Sequence, residues 1–253
     1  HSFPTRRSSD LMRYLLALFI LASAASAEIL EEPQDGHGSL RAGFETGYQE
    51  TLGTSLGLNF RYGLHDILDR QTGYPAYTQL DLLHLRSQIF PTVGKFFIDE
   101  LVLARWLRVP PLSKSWRELS WKLEAGGRTV RDATCSRCGV GNLLAGLGVT
   151  VEPFEKSWIA FWVLAEAEIL GSPALPRFLE PSVGPRFGAR FRLAPWCNGM
   201  VYGLYRFQPL ANRNLFESGT QWRFSVARNW ALDIKLARYG EGWEGVAGVL
   251  AYY

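Results

Sequence analysis

The stretch Val183-Gly-Pro-Arg-Phe-Gly-Ala-Arg-Phe-Arg-Leu193 alternates apolar side chains with arginine and glycine. Successive side chains of a β-strand point to opposite faces, so this alternation predicts a strand with one apolar and one polar face. The pattern recurs at 118–125 and in further segments from about residue 40 onward. Apolar rows rich in aromatics, beside rows of ions and glycine, favour lipid outside and a polar lumen inside. The sequence therefore predicts an all-β fold, an antiparallel up-and-down transmembrane β-barrel of about 12 strands. A soluble, exported β-sandwich or lipid-binding barrel is the alternative.

The N-terminal region carries the features of an export signal. Residues 1–11 precede the first methionine and are interpreted as a non-native or mistranslated leader. Residues 12–27 have a positive start, a short apolar run and small residues at the end, the three parts of a cleaved signal peptide. A retained helical anchor is the alternative, but the apolar run is shorter than the about 20 residues that span a bilayer. Residues 28–37 are then a short periplasmic segment, and residues 38–253 form the barrel.

The part of the chain after this segment divides into twelve stretches with strand patterning and turn residues between them. Their predicted bounds are 38–52, 55–68, 78–90, 95–108, 116–131, 141–153, 157–171, 181–194, 199–209, 217–228, 230–239 and 244–253. An even number of strands places both ends of the barrel chain on the same side. We expect short turns on one side and longer loops on the other, the usual layout of outer-membrane barrels.

Aromatic residues cluster near the predicted strand ends, where they are expected to form girdles at the two membrane–water interfaces. These residues are Trp116, Trp158, Trp196, Trp222, Trp230, Trp243, Tyr252 and Tyr253. The chain also stops on an aromatic residue after an amphipathic strand, which resembles the signal that the outer-membrane insertion machinery reads. We therefore expect a bacterial outer-membrane location, with outer-membrane lipid and the barrel-insertion machinery as partners and a periplasmic protein as a further candidate.

Charged residues of both signs are predicted to face the lumen. They are Arg61, Glu118, Lys122, Glu124, Glu166, Glu168, Arg186, Arg190 and Arg192. A wide selective pore tends towards one sign at its constriction, whereas mixed signs can pair across the lumen and close it. Glu166 and Glu168 are expected to pair with the arginines at 186, 190 and 192 rather than to bind a cation. A small channel is the alternative to a closed lumen.

Several stretches resemble the C-terminal β-barrel region of Lnb-type bacterial envelope proteins, a region of unknown function. The similar stretches are Tyr62–Asp69, Gly73-Tyr74, Gln79–Leu83, Ser120–Gly126, Cys135–Cys138 and the glycine-rich Gly139–Gly148. In those proteins a periplasmic domain related to lipoprotein N-acyltransferases precedes the barrel. Here the predicted signal peptide directly precedes the barrel, so the resemblance implies the barrel without the acyltransferase activity.

Candidate catalytic pairs fail on geometry. His84 and Ser87 resemble the His and Ser of outer-membrane lipases, but a spacing of three puts them on opposite faces of a regular strand. His65 and Asp66 are adjacent and also face opposite sides unless a loop intervenes, and His65, Asp66, Asp69 and His84 remain weak candidates for a polar site. We expect a structural or interaction protein without catalytic activity, and a lipid hydrolase or deacylase using His84 with Ser87, or His65, is the alternative.

Three cysteines remain, at 135, 138 and 197. Cys135 and Cys138 are predicted to form a disulfide in the loop after the fifth strand, because exported chains meet oxidising conditions. Free or metal-binding thiols are the alternative, although no second C-x-x-C or spaced His pair accompanies them. The sequence predicts no metal and no cofactor.

Removing residues 1–27 lowers the net charge from +3 to about +1, and no basic tract stands out, which argues against nucleic acid as a partner.

Overall fold

The computed structural model describes residues 37–70, 77–112, 118–132, 135–153, 158–240 and 242–253. These residues form a closed barrel of twelve strands. The strands are β1 (Leu40–Gln49), β2 (Gly53–His65), β3 (Thr78–Phe90), β4 (Lys95–Arg108), β5 (Ser120–Asp132), β6 (Cys135–Val151), β7 (Ile159–Gly171), β8 (Leu179–Ala194), β9 (Cys197–Gln208), β10 (Arg213–Ala227), β11 (Trp230–Tyr239) and β12 (Gly242–Tyr252). Within the described ranges, no helix is long and apolar enough to cross a membrane.

Each strand pairs antiparallel with its neighbour in sequence, and β1 pairs with β12 to close the barrel. The register sets Gly43 opposite Leu250, and backbone hydrogen bonds between Leu40 and Tyr253 fasten the seam. The start of β1 and the end of β12 therefore lie at the same end of the barrel, which we call the terminal end; the opposite end is the far end. The predicted up-and-down antiparallel barrel of twelve strands is confirmed.

The two faces of each strand differ in chemistry, as β7 shows. Trp162, Leu164 and Glu166 are buried inside the barrel, whereas Phe161 and Val163, which alternate with them, are exposed on its outer surface. Soluble proteins rarely expose apolar patches of this extent. Other strands repeat this outward row, with exposed Leu123 on β5, Val183, Phe187 and Leu193 on β8, and Leu232, Ile234 and Leu236 on β11.

Aromatic side chains form an exposed band near the terminal end. Trp158, Trp196, Trp230 and Tyr253 are all exposed there, and Trp243 is exposed at the far end. Amphipathic rings are favoured at membrane–water interfaces, so this band fits a girdle. One prediction differs, because Tyr252 at the inward-facing last position of β12 is buried in the lumen. Trp116 lies outside the described residues, so its place in the girdle stays a prediction.

The lengths of the connections do not follow the predicted division into short and long sides. The longest connections, residues 66–77 and 109–119, lie at the terminal end, together with the two-residue turns 195–196 and 228–229. Connections at the far end are two to seven residues long, whereas the terminal end mixes the longest connections with the shortest.

Irregular pairing in β3 changes which of its residues face the lumen. Leu82 and Leu83 are both exposed on the outside, while Asp81 and His84 on either side of them are both buried. In the pairing of β3 with β2, Leu83 lies opposite Tyr62 and Asp81 opposite Gly63, so Leu82 is an extra residue on β3. An extra residue of this kind is a β-bulge, and it lets two side chains three positions apart share one face.

Candidate functional site: the charged lumen

Residues Asp66–Asp69 enter the lumen at the terminal end, and we call them the lumen segment. Strand β2 ends at His65 rather than at the predicted residue 68. A tight turn follows, in which the backbone N–H of Asp69 donates to the carbonyl of Asp66 (3.0 Å) and the N–H of Leu68 donates to Oδ1 of Asp66 (3.1 Å). Aspartate favours such local bonds with its own backbone, which compete with strand pairing. The turn directs the chain into the barrel.

Three arginines from separate strands hold the carboxylate of Asp66. Its Oδ2 lies 2.9 Å from Nη1 of Arg41, 2.9 Å from Nη1 of Arg223 and 3.3 Å from Nη1 of Arg61. These arginines belong to β1, β10 and β2, so one carboxylate joins distant parts of the barrel wall. Ionised donors and acceptors make hydrogen bonds roughly twice as strong as neutral ones.

Asp69 is anchored more widely still. Its Oδ1 accepts hydrogen bonds from Arg223 (2.7 Å) and from the hydroxyl of Tyr252 (2.7 Å), while Oδ2 lies 3.3 Å from Nε2 of His37. Burial alone would raise the pKa of Asp69. The charge of Arg223, the hydrogen bond with His37 and the charges of Arg41 and Arg61 instead hold this pKa well below its usual range. The carboxylate therefore stays ionised inside the lumen.

Apolar packing fixes the middle of the lumen segment. Ile67 and Leu68 are 2% and 1% exposed, and they form one cluster with Leu107, Val109, Trp162 and Leu164. In addition, Asn198 donates to the carbonyl of Leu68 (3.1 Å), so the backbone of the segment is bonded to β9. Burying an aliphatic side chain of this size stabilises by about 1.5–3 kcal/mol. Charge and packing together hold the segment across the lumen.

A lattice of ion pairs fills the lumen beyond this segment. One group centres on Arg86, which pairs with Glu45 (2.7 Å) and Glu244 (3.1 Å), and a second on Arg105, which pairs with Glu124 (2.8 Å). Lys122 joins the second group through Glu124 (3.0 Å). A third group is made by Arg186–Glu166 (2.8 Å), Arg206–Glu166 (3.1 Å), Arg206–Glu168 and Arg128–Glu168 (3.0 Å). Charges of opposite sign therefore meet across the interior.

Two cavities remain within this lattice. One, of about 260 Å³, lies between the lumen segment and the central ion pairs and is lined by Arg61, Asp66, Glu124 and Lys122 among others. The second, of about 490 Å³, lies towards the far end, beside Arg131, Arg213 and Tyr239. The guanidinium of Arg131 stacks over the ring of Tyr239 at 4.9 Å.

The predicted lumen charges divide into those that face the interior and those at the rim. Arg61, Lys122, Glu124, Glu166, Glu168 and Arg186 line the lumen as predicted. Arg190 is buried and stacks over Tyr77 at 5.4 Å, so it does not join Glu166 and Glu168. Arg192 and Glu118 differ from the prediction. Arg192 is exposed near the end of β8, and Glu118 precedes β5, half exposed and 3.7 Å from Arg108.

The four residues that were weak candidates for a polar site lie in two different places. His65, Asp66 and Asp69 come together at the lumen segment, because the turn after His65 breaks the alternation that would have separated His65 from Asp66. His84 faces the lumen with Nδ1 at 3.6 Å from Glu100. Ser87 alternates with buried Arg86 and Gln88, which places it on the outer face. The lipase-like pair of His84 and Ser87 therefore does not form.

The cysteines are found in two states. Cys138 is disulfide-bonded, and Cys197 is a free, buried thiol. Strand β6 begins at Cys135, so the motif lies at the start of this strand rather than in the predicted loop. Because the side chain of Cys135 lies outside the described residues, the pairing of Cys135 with Cys138 stays a prediction.

The sequence does not predict three residues that contribute to the site. The bulge in β3 turns Asp81 towards the lumen, Tyr252 faces the lumen instead of the predicted girdle, and His37 lies before the first strand. Every second residue of β12 from Glu244 onward faces the lumen, and this alternation would have predicted that Tyr252 does so too. Nothing in the local sequence identifies His37, because the carboxylate that it contacts, Asp69, lies 32 positions further along the chain.

The closed strand order, the apolar outer face and the charged interior define a transmembrane β-barrel of the outer-membrane type. The chain belongs to the family described as Domain of unknown function (DUF7840), whose model matches residues 30–249.

Solved structures similar to the chain include a KdgM porin in complex with disordered oligogalacturonate (7% identity, TM-score 0.49), with 84% of this chain and 99% of the porin covered. The NanC porin is similar at 5% identity and a TM-score of 0.48, with 84% and 99% covered. An outer membrane channel from Pseudomonas putida F1 is similar at 10% identity and a TM-score of 0.49, with 86% and 96% covered. No curated protein matches the chain.

Proposed function

We propose that the protein is a bacterial outer-membrane barrel that is closed by its own lumen segment and acts as a structural or interaction module without catalytic activity. The observation that carries this proposal is the anchoring of Asp66 and Asp69 to arginines of three different strands, with Ile67 and Leu68 packed between them. A segment held by both charge and packing blocks the passage of solutes at the terminal end.

The outer surface supports the location. A barrel leaves no unpaired backbone edge in lipid, and the outward rows of β7 and β8 present aliphatic and aromatic side chains of the kind that face hydrocarbon. Export through a cleaved signal peptide at 12–27, and insertion by the barrel-insertion machinery, belong to the same proposal. In this proposal the terminal end faces the periplasm, and a periplasmic partner would meet it there.

The test is solute uptake into liposomes that contain the purified, refolded protein. We expect no uptake of a small neutral sugar by the native protein and measurable uptake by the double variant Ile67→Ser and Leu68→Ser. Leu170→Ser is the matched control, because Leu170 is an equally buried lumen leucine that packs away from the lumen segment. Rapid uptake by the native protein would overturn the proposal of a closed lumen.

A small channel is the second candidate, and the two cavities favour it. Together they leave polar space along the lumen on the far side of the segment. In that case the lumen segment would be a gate rather than a permanent closure, and the native protein would conduct intermittently. A lipid hydrolase receives no such support from His84, because Ser87 faces away from it. The relation to the barrels of Lnb-type envelope proteins stays a prediction.

A further inference from the structure

We propose that His37, His65 and Asp69 form a binding site for a divalent transition-metal ion, with zinc as its simplest occupant. One nitrogen of each imidazole and one oxygen of the carboxylate all lie within 4.8 Å of one another. The three residues come from the segment before β1, the end of β2 and the lumen segment. Zinc commonly binds imidazole nitrogens and carboxylate oxygens with four ligands in total, so three protein ligands leave a fourth position for water.

The carboxylate of Asp69 is oriented for this role. Its Oδ1 is occupied by two donors, the hydroxyl of Tyr252 and the guanidinium of Arg223, both at 2.7 Å. Its Oδ2 accepts from the backbone N–H of Asp66 (3.1 Å), lies 3.5 Å from Nη1 of Arg61, and faces Nε2 of His37 at 3.3 Å. Metal-binding carboxylates are commonly held by such outer hydrogen bonds, which fix the oxygen that faces the ion.

The imidazole of His37 is oriented in the matching way. Its Nδ1 lies 2.8 Å from the carbonyl oxygen of Gly38, so Nδ1 carries the hydrogen and donates it. Nε2 faces Oδ2 of Asp69 at 3.3 Å. A proton on Nε2 makes this contact a hydrogen bond, and a metal ion in place of that proton would bind both atoms. A metal ion also engages His65, whose ring stacks near that of His37 with centroids 6.2 Å apart.

The charges around the site permit a cation despite three neighbouring arginines. Arg41, Arg61 and Arg223 surround the lumen segment, but they are paired with four carboxylates, those of Asp66, Asp69, Asp81 and Asp233. Arg105 also pairs with Asp81 (3.5 Å), so these four arginines and four carboxylates balance in formal charge. Binding of the ion would tie the N-terminal segment to the lumen segment, and this role does not depend on whether the barrel conducts.

The test is metal binding by the purified, refolded full-length barrel in detergent, with Zn²⁺ followed by calorimetry and Co²⁺ by its visible absorption. We expect one ion per barrel, and binding weakened at least about tenfold by His37→Ala, His65→Ala or Asp69→Asn. His84→Ala is the matched control, because His84 is also a buried lumen histidine but lies beside Glu100 instead. Tyr252→Phe leaves all three ligands in place and should still weaken binding, through the orientation of Asp69.

Folding of each variant is checked by the shift in gel mobility between unheated and heated samples. If a ligand variant fails to fold, His65→Asn and Tyr252→Phe provide the milder comparison. Absence of binding to the native protein, or binding that is lost in His84→Ala but retained in His37→Ala and His65→Ala, would overturn the proposal. Solute uptake into liposomes is measured separately, so a conducting barrel that binds zinc would refute the closed lumen and leave the metal site standing.

Discussion

The hydroxyl of Tyr252 donates a 2.7 Å hydrogen bond to Oδ1 of Asp69, although the two residues are 183 positions apart in the chain. Tyr252 is the last residue of β12, the strand that closes the barrel against β1. Asp69 is the last residue of the lumen segment, and its side chain is fully buried. One hydrogen bond therefore connects the strand that closes the barrel wall to the segment that closes the lumen.

Replacing Tyr252 by phenylalanine should destabilise the barrel without preventing its folding. The change removes a donor to a buried, ionised carboxylate, and a hydrogen bond to a charged group contributes about 1.5–3 kcal/mol. We expect a decrease of that size in the free energy of unfolding, measured by urea titration in lipid vesicles. Tyr253→Phe is the control, because Tyr253 is 69% exposed on the outer surface. An equal effect of the two changes would contradict the role of Tyr252.

Gly188 makes room for a ring that supports the lumen segment. A Cβ atom at this position would clash with Cζ2 of Trp162, and Trp162 packs in the same cluster as Ile67 and Leu68. Gly188→Ala should therefore displace the indole and cost about 1–3 kcal/mol in unfolding free energy. Gly245→Ala is the matched control, since a Cβ there meets only a leucine side-chain atom at 3.8 Å. Indistinguishable stabilities of the two variants would count against this packing.

The outer face should be sensitive to charge in a way that depends on depth. Val163 lies in the middle of β7 and Leu179 at the start of β8, and they are 45% and 54% exposed. Arginine on the lipid face costs about 2–4 kcal/mol near the bilayer midplane and about 0–1 near the interfaces. Val163→Arg should thus destabilise the barrel in vesicles much more than Leu179→Arg. On a surface in contact with water, the two changes would have similarly small effects.

Cys135 and Cys138 are predicted to be joined by a disulfide, with Cys197 as the remaining thiol. The ring closed by two neighbouring cysteines is short, so the bond should constrain β6 locally and add little to overall stability. Thiol titration of the unreduced, denatured protein should detect one reactive group. Detection of three would show that the pair is reduced, and Cys197→Ser, which should abolish the single signal, is the control.

The regular part of the barrel was predictable because strand periodicity is a local property. The bounds of β3, β4 and β11 agree with the prediction, and the outward rows containing Leu123 and Phe187 lie as expected. The alternation of apolar and charged residues specifies both the strand and its orientation, since one face must meet lipid and the other the lumen.

The lumen segment was not predictable in the same way. Residues 66–68 continue the strand pattern, and only the turn bonds of Asp66 and the distant contacts of Asp69 direct them inward. The bulge at Leu82 likewise changes which residues of β3 face the lumen, without a local sequence signal. Both features depend on contacts between residues far apart in the chain, and periodicity does not report such contacts.

The most direct test of closure by the lumen segment is single-channel recording in planar lipid bilayers. The native barrel should give no conductance steps, whereas a double variant, Asp66→Asn and Asp69→Asn, should give steps because it loses the charges that hold the segment against Arg41 and Arg223. Ile67→Ser with Leu68→Ser loosens the same segment through its packing and should act similarly if the first variant does not fold. Native barrels that conduct with steps as large as those of both variants would contradict a lumen closed by this segment.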